Sequence, residues 1–248
     1  MKRFVKLLLM ALRVLFRPNT SAKVFFYHDI GVVHTSMGTK EEVFWKQMKA
    51  LQRFRSGAES LVCFDDGFRG VWDFRERFRQ EGITPTVFVA VRLVGQPGYL
   101  TWDEIRTLQN DYGFTFQCHT WSHQTLVGEM IDESPKEKRT EAWYHRELIE
   151  SRDEISRQLG RSVEALCFPV GLFNETLVDR CRKAGYRRVY TCLPGDRTET
   201  FVQSRNLVQD LDLLGFKLVL RGGLMAFRGR YLRQHCVRDG NEPCQSSI

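Results

Sequence analysis

The sequence predicts an α/β fold in which a mostly parallel sheet or barrel is wrapped by helices. Three observations predict it. Short runs rich in β-branched and aromatic residues alternate with longer stretches of helical period, and the helical stretches close at glycines such as Gly82, Gly160 and Gly185. Residues able to do chemistry begin where apolar runs stop, at Asp65, His119 and Pro169. In a sheet wound from strand–helix units the strand C-terminal ends gather on one face, and catalytic groups collect there. The 248 residues suit one domain with a substantial core.

Strands are predicted at about 24–28, 61–65, 86–91, 114–118, 164–168 and 186–191. Between them, Thr39-Lys40-Glu41-Glu42 and Thr101-Trp102-Asp103-Glu104 read as capping boxes that start two helices. A helix over about 69–81 offers Val71, Phe74 and Phe78 to the core, and Gly82 stops it. A long polar stretch over 136–159 and a helix over 174–184 follow. Asn174-Glu175-Thr176 fits a glycosylation sequon but is read as a helix cap. Three parts result: a basic amphipathic helix in 1–21, a main domain over 22–210, and a basic segment from 211 to 248, where Gly222-Gly223 breaks any long helix.

Charge separates these parts. Residues 1–23 hold six cations and no acid, which leaves the rest of the chain at 31 cations against 30 acids. Such a balance does not call for a nucleic-acid partner. Within residues 1–17, Lys2, Arg3, Lys6, Arg13 and Arg17 fall in about one third of the helical circle, away from Phe4, Leu8, Leu12, Leu15 and Phe16. That pattern suits peripheral contact with an anionic membrane surface. A helix packed on the domain and an export signal are alternatives, although Arg13 directly after the short apolar core disfavours export. No stretch reaches the about 20 apolar residues of a spanning helix.

Seven cysteines without a CxxC, four of them in apolar strand contexts, suggest a reducing compartment and no cysteine–zinc cluster. The expected location is cytoplasmic, peripheral on the inner face of the membrane, with export as the alternative.

Phe64-Asp65-Asp66-Gly67 and His119-Thr120-Trp121-Ser122-His123 carry the chemistry. Spaced at i and i+4, the two histidines would share one face of a helical turn, about 5–6 Å apart at Cβ. Asp66 completes a set of two histidines and one carboxylate, the donor set of hydrolytic zinc sites that keep room for water. Adjacent loop residues point different ways, so Asp65 is free to act as a base.

Together these motifs resemble the NodB-type polysaccharide deacetylases, carbohydrate esterases that remove N-acetyl groups. The first motif of that family is similar to Phe64–Gly67, the second to His119–His123, and a reduced third to Phe168-Pro169-Val170-Gly171. Fainter echoes are Tyr27-His28, Ile83 to Val89, and Leu100 to Glu104. The resemblance spans roughly residues 22–210 and implies an irregular (β/α) barrel. It further implies a divalent ion, zinc first and cobalt as an alternative, held by Asp66, His119 and His123. Asp65 would be the base, and Pro169 with the Val170 N–H would form the oxyanion side.

Two positions depart from the family pattern. Cys167 stands where many members carry an arginine that orients the base, and no late Leu-x-His supplies an acid. His28 is the candidate replacement acid, Arg205 a candidate for an anionic group of the substrate, and Trp121 a sugar-stacking surface. Phe68, Tyr99 and Trp102 are further aromatic candidates. The implied activity is removal of an N-acetyl or similar acyl group from an amino sugar in a glycan or lipid-linked precursor. A glycan-binding or assembly role on the same fold is the alternative, and a two-metal phosphoesterase is weaker for want of ligands. Oligomeric state is not legible.

Overall fold

The structure is a computed structural model that describes residues 2–31, 34–54, 60–128 and 138–237. Residues 238–248 of the basic C-terminal segment, and the first two positions of the polar 136–159 stretch, lie outside the described residues. All six expected strands are present: β1 (Val24–Tyr27), β2 (Leu61–Phe64), β3 (Thr86–Val89), β4 (Thr115–Cys118), β5 (Ala165–Cys167) and β6 (Arg188–Tyr190). They lie side by side in that order, every pair parallel.

Two short strands that the apolar pattern does not show complete the sheet. β7 (Val202–Gln203) pairs with β6, and β8 (Asn206–Leu207) pairs with β1 at the other edge. Only Ser204 and Arg205 separate them. Two residues reach about 7 Å when extended. The sheet must therefore curl until its edges meet, which closes an irregular barrel at Arg205. Alternate strand residues fill the interior: Val24, Phe26, Cys63, Phe88, Ala165, Cys167 and Tyr190. The opposite faces of the same strands, with Phe25, Tyr27, Phe64, Val87 and Val89, pack under the helices. Burial on both faces is why these strands read as unbroken apolar runs.

Helix starts follow local chemistry in part. The Thr101 capping box forms as expected: Thr101 Oγ1 accepts from the Glu104 N–H, and Glu104 accepts from the Thr101 N–H. Asn174 likewise caps its helix through the Leu177 N–H. Thr39 does not cap. It pairs in a short strand with Ile30, and its hydroxyl donates to the Gln209 carbonyl at 3.3 Å, so the helix Glu41–Arg53 starts after Lys40 without a side-chain cap. The 69–81 helix is broken at Phe74 into Gly70–Asp73 and Arg75–Gln80. In the polar stretch, a π-helical turn over Arg146–Glu150 joins two α-helical pieces and turns Glu147 fully inward. Such turns are rare and concentrate at functional sites.

Five described cysteines are free, but Cys236 is disulfide-bonded. No described helix is long and apolar enough to cross a membrane.

Candidate active site

β2 ends at Phe64, and the chain reverses at once. Asp66 at φ 68° and Gly67 at φ 82° are both left-handed, and the Gly67 N–H donates to the Asp65 carbonyl at 2.9 Å. The reversal aims neighbouring carboxylates in different directions, Asp65 into the barrel and Asp66 toward the histidines. Gly67 lies against Val89, whose side chain leaves no room for a Cβ without adjustment.

His119 follows β4, with its N–H bonded to the Val89 carbonyl at 2.8 Å. The expected helical turn from His119 to His123 does not form. Thr120 and His123 have φ of 70° and 64°, and the segment is an irregular loop. Buried Glu147 holds it, accepting from the Trp121 and Ser122 N–H groups at 3.1 and 2.9 Å, while the His123 N–H donates to Thr120 Oγ1 at 3.0 Å. These bonds to side chains replace the carbonyl partners a helix would supply. The imidazoles nevertheless converge, their centroids 4.8 Å apart.

Asp66 Oδ1 lies 3.0 Å from His123 Nε2 and 3.3 Å from His119 Nε2. His119 Nδ1 sits 2.8 Å from the Cys167 carbonyl, an acceptor, so Nδ1 must be the protonated nitrogen and Nε2 presents a lone pair inward. Asp66 Oδ1 is buried and lacks a hydrogen-bond partner. The His119 lone pair and His123 Nε2, converging on a buried carboxylate oxygen, fit a divalent cation held by Asp66, His119 and His123. A second grouping of Asp65, His119 and Cys167 is a poorer fit. Burial pushes the Cys167 thiol well up, away from the thiolate form that ligates a metal.

Arg205 holds Asp65. Its Nη1 and Nη2 donate to Asp65 Oδ1 and Oδ2 at 2.6 and 2.8 Å, and its Nε donates to the Thr191 carbonyl at 3.1 Å. The guanidinium lies 4.2 Å over the Phe26 ring, inside the barrel, with no exposed surface. The expectation that Arg205 meets an anionic group of the substrate is therefore replaced. It supplies the cation that the sequence lacks at Cys167, from the barrel's closing joint instead. Burial alone would raise the Asp65 carboxyl, but Arg205, then His119 and His28, bring it below its ordinary value.

Phe168 N–H pairs with the Tyr190 carbonyl, and Pro169, buried, starts a tight turn that lifts Val170 out at φ 58° with 43% of its surface exposed. Gly171 is required there, because a Cβ would collide with Cys192. His28 is half-buried just past β1, within electrostatic reach of Asp65, and its Nδ1 lies 2.6 Å from Gln209 Oε1. Trp121 is half-buried between the histidines. Phe68 is buried and stacked on Tyr99 with centroids 4.6 Å apart, which leaves it no free face for a sugar. Among the described residues, the four non-glycine positions with left-handed backbone are Asp66, Thr120, His123 and Val170, all in this site. Such strain costs on the order of 1–3 kcal/mol each and persists where the surroundings over-determine it.

Glu147 and Gln209 carry no motif signal, and nothing in the sequence marks them. Ser204-Arg205-Asn206 could have pointed to the barrel joint only through its two flanking strands, each too short to read.

Residues 55–189 match the family described as polysaccharide deacetylase. YxkH of Bacillus subtilis (strain 168), whose name assigns it to the same family, is 24% identical over 136 residues, 54% of this chain and 45% of that protein. The chain thus matches less than half of that relative's length. Among solved structures, IcaB from Ammonifex degensii superposes with a TM-score of 0.69 at 17% identity, covering 82% of this chain and 96% of that one. The Streptococcus pyogenes deacetylase PplD in complex with acetate gives 0.66 at 17% identity, covering 82% and 99%. These likenesses show the fold, the irregular (β/α) barrel.

Proposed function

Because this chain belongs to the polysaccharide deacetylase family, we propose that it hydrolyses the N-acetyl or similar acyl amide of an amino sugar, in a glycan or a lipid-linked glycan precursor. The observation that carries this reading is the pairing of a buried carboxylate locked by Arg205 with a bare carboxylate facing two histidines, a few ångströms away. Asp66, His119 and His123 would hold a divalent ion, zinc first among candidates. When bound, that ion polarises the acyl carbonyl and acidifies water.

The chain's own residues do the rest. Asp65 is ionised at neutral pH and takes the proton of the attacking water on its carboxylate. The Arg205 fork fixes both carboxylate oxygens, so the base cannot rotate away from the reacting water. The Val170 N–H, presented on its exposed turn, donates to the oxyanion that forms as water adds to the carbonyl carbon. The C–N bond then breaks. Nδ1–H of His28 donates to Gln209 Oε1, so Nε2 holds a transferable proton only in the imidazolium, and that form of His28 gives its Nε2 proton to the departing nitrogen. The products are the carboxylic acid and the free amine.

A glycan-binding role without turnover draws support from the missing cation beside Asp65 and from the missing late histidine; Arg205 answers the first, and the second rests on His28. Deacetylation is tested by incubating purified protein with N-acetylated oligosaccharides and lipid-linked sugars, with zinc, cobalt or chelator, and scoring released amine. Release that chelator abolishes and metal restores supports the proposal. Metal binding without turnover on every substrate rejects it.

A further inference from the structure

The N-terminal helix, Lys2–Phe16, is inside out. Met10, on the cationic side of the wheel, is fully buried against the body, where the helix meets Leu213–Leu220 and Gly223–Phe227. Lys6 and Arg13 are half-buried on that same side, and Arg3 is ion-paired with Asp212 at 2.7 Å. The apolar side faces outward. Phe4, Leu15 and Phe16 are 71, 72 and 76% exposed, and Leu8, Leu9 and Leu12 are exposed between them. A helix docked only for stability would turn this ridge inward, because leaving it in water forfeits about 1.5–3 kcal/mol per large side chain. Contiguous exposed apolar surface of this kind marks an interaction site.

Charge indicates what covers it. One flank of the ridge is a groove of about 630 Å³, walled by Leu9, Phe227 and Tyr231 and carrying Lys6 and Arg230. Beyond Leu213–Leu220, a second groove of about 510 Å³ is lined by Lys46, Lys49, Arg53, Lys217 and Arg221 without an acid. Residues 213–237 contain five cations and no acid. Asp210 and Asp212 lie by the helix start, engaged by Lys6 and Arg3. An apolar ridge between cationic grooves matches a bilayer with anionic headgroups: apolar side chains enter the acyl boundary while the grooves meet phosphates. A second copy of this chain would instead bring the same cations against each other in a two-fold contact.

We propose that the outward face of Lys2–Phe16, with its two basic grooves, docks this protein on an anionic phospholipid surface. This does not depend on the deacetylase reading.

The test is co-flotation of the full chain with phosphatidylcholine vesicles, with and without phosphatidylglycerol, at low and high salt. Wild type floats with the anionic vesicles and is released by salt. Leu8→Glu with Leu12→Glu, at exposed positions that leave circular dichroism unchanged, weakens binding by roughly tenfold or more. Lys217→Glu with Arg230→Glu weakens it comparably. As a second readout, tryptophan fluorescence of Leu15→Trp shifts to the blue when anionic vesicles are added. Failure of wild type to float at low salt, or equal binding to neutral vesicles, overturns the proposal. So does a dimer by sedimentation velocity that the Leu8/Leu12 pair dissolves while wild type stays off the vesicles.

Discussion

Arg205 and Asp65 stand 140 residues apart in the chain and meet in a two-pronged ion pair, both sealed from solvent inside the barrel. Each carries a charge that the interior tolerates only because the other is there.

Removing the cation alone therefore strands a buried carboxylate. Arg205→Met is expected to lose about 3–5 kcal/mol of stability in urea denaturation. In the folded protein Asp65 lies below its ordinary value, so its stabilising contribution is present above that ordinary value and is lost as pH falls through the folded one. Without Arg205 that depression is relieved, and the acid limb of the pH–rate profile moves to higher pH. Arg205→Lys restores charge without the fork and recovers only part of both.

A bound cation should report on Asp66. Zinc at about a hundredfold its dissociation constant should stabilise the protein by about 2.7 kcal/mol, read as a rise in Tm that chelator reverses. Asp66→Asn removes the carboxylate that both histidines face and should abolish the rise. An equal rise in the variant would place the ion elsewhere.

His28 and Gln209 should separate chemistry from binding. His28→Gln is expected to lower kcat by about 10²–10⁴ while zinc affinity by titration calorimetry stays unchanged. Gln209→Leu, which frees the imidazole to rotate, should lower kcat by less and leave KM alone. Unchanged kinetics in His28→Gln would remove it from the mechanism.

Asp29, buried beside His28, makes a stability prediction of the opposite sign to Asp65. Desolvation pushes its carboxyl from 3.8 up to about 6, against hydrogen bonds from the Ile30 and Gly70 N–H groups, and its Oδ2 has no partner. A folded-state value above the unfolded one means stability present at low pH and lost as pH rises from about 4 through 6. Between pH 4 and 8 the Asp29→Asn variant should gain on wild type by up to roughly 3 kcal/mol in thermal unfolding. A constant difference between the two across that range would contradict the assignment.

How much of this was legible in the sequence depends on how far apart the partners are. β1 to β6 were readable because burial on both faces leaves unbroken apolar runs, and Asp65, His119 and Pro169 because each directly follows such a run. Arg205 was not readable, because its partner is fixed only when two two-residue strands close the barrel. The spacing of His119 and His123 suggested a helix, but the loop is shaped by Glu147 from a π-helical turn that leaves no periodic signature. For the N-terminal helix a wheel separated the two faces correctly. It could not say which one meets the body.

The most direct test of the account is Asp65→Asn, checked for folding by circular dichroism because it leaves Arg205 unpaired, and followed in one preparation by zinc affinity and by amine release from whichever substrate the wild type turns over. If Asp65 is the base and Asp66, His119 and His123 hold the ion, zinc affinity stays within a few-fold and kcat falls by on the order of 10³. Activity retained at the wild-type rate, or zinc binding lost together with activity, would contradict that division of labour.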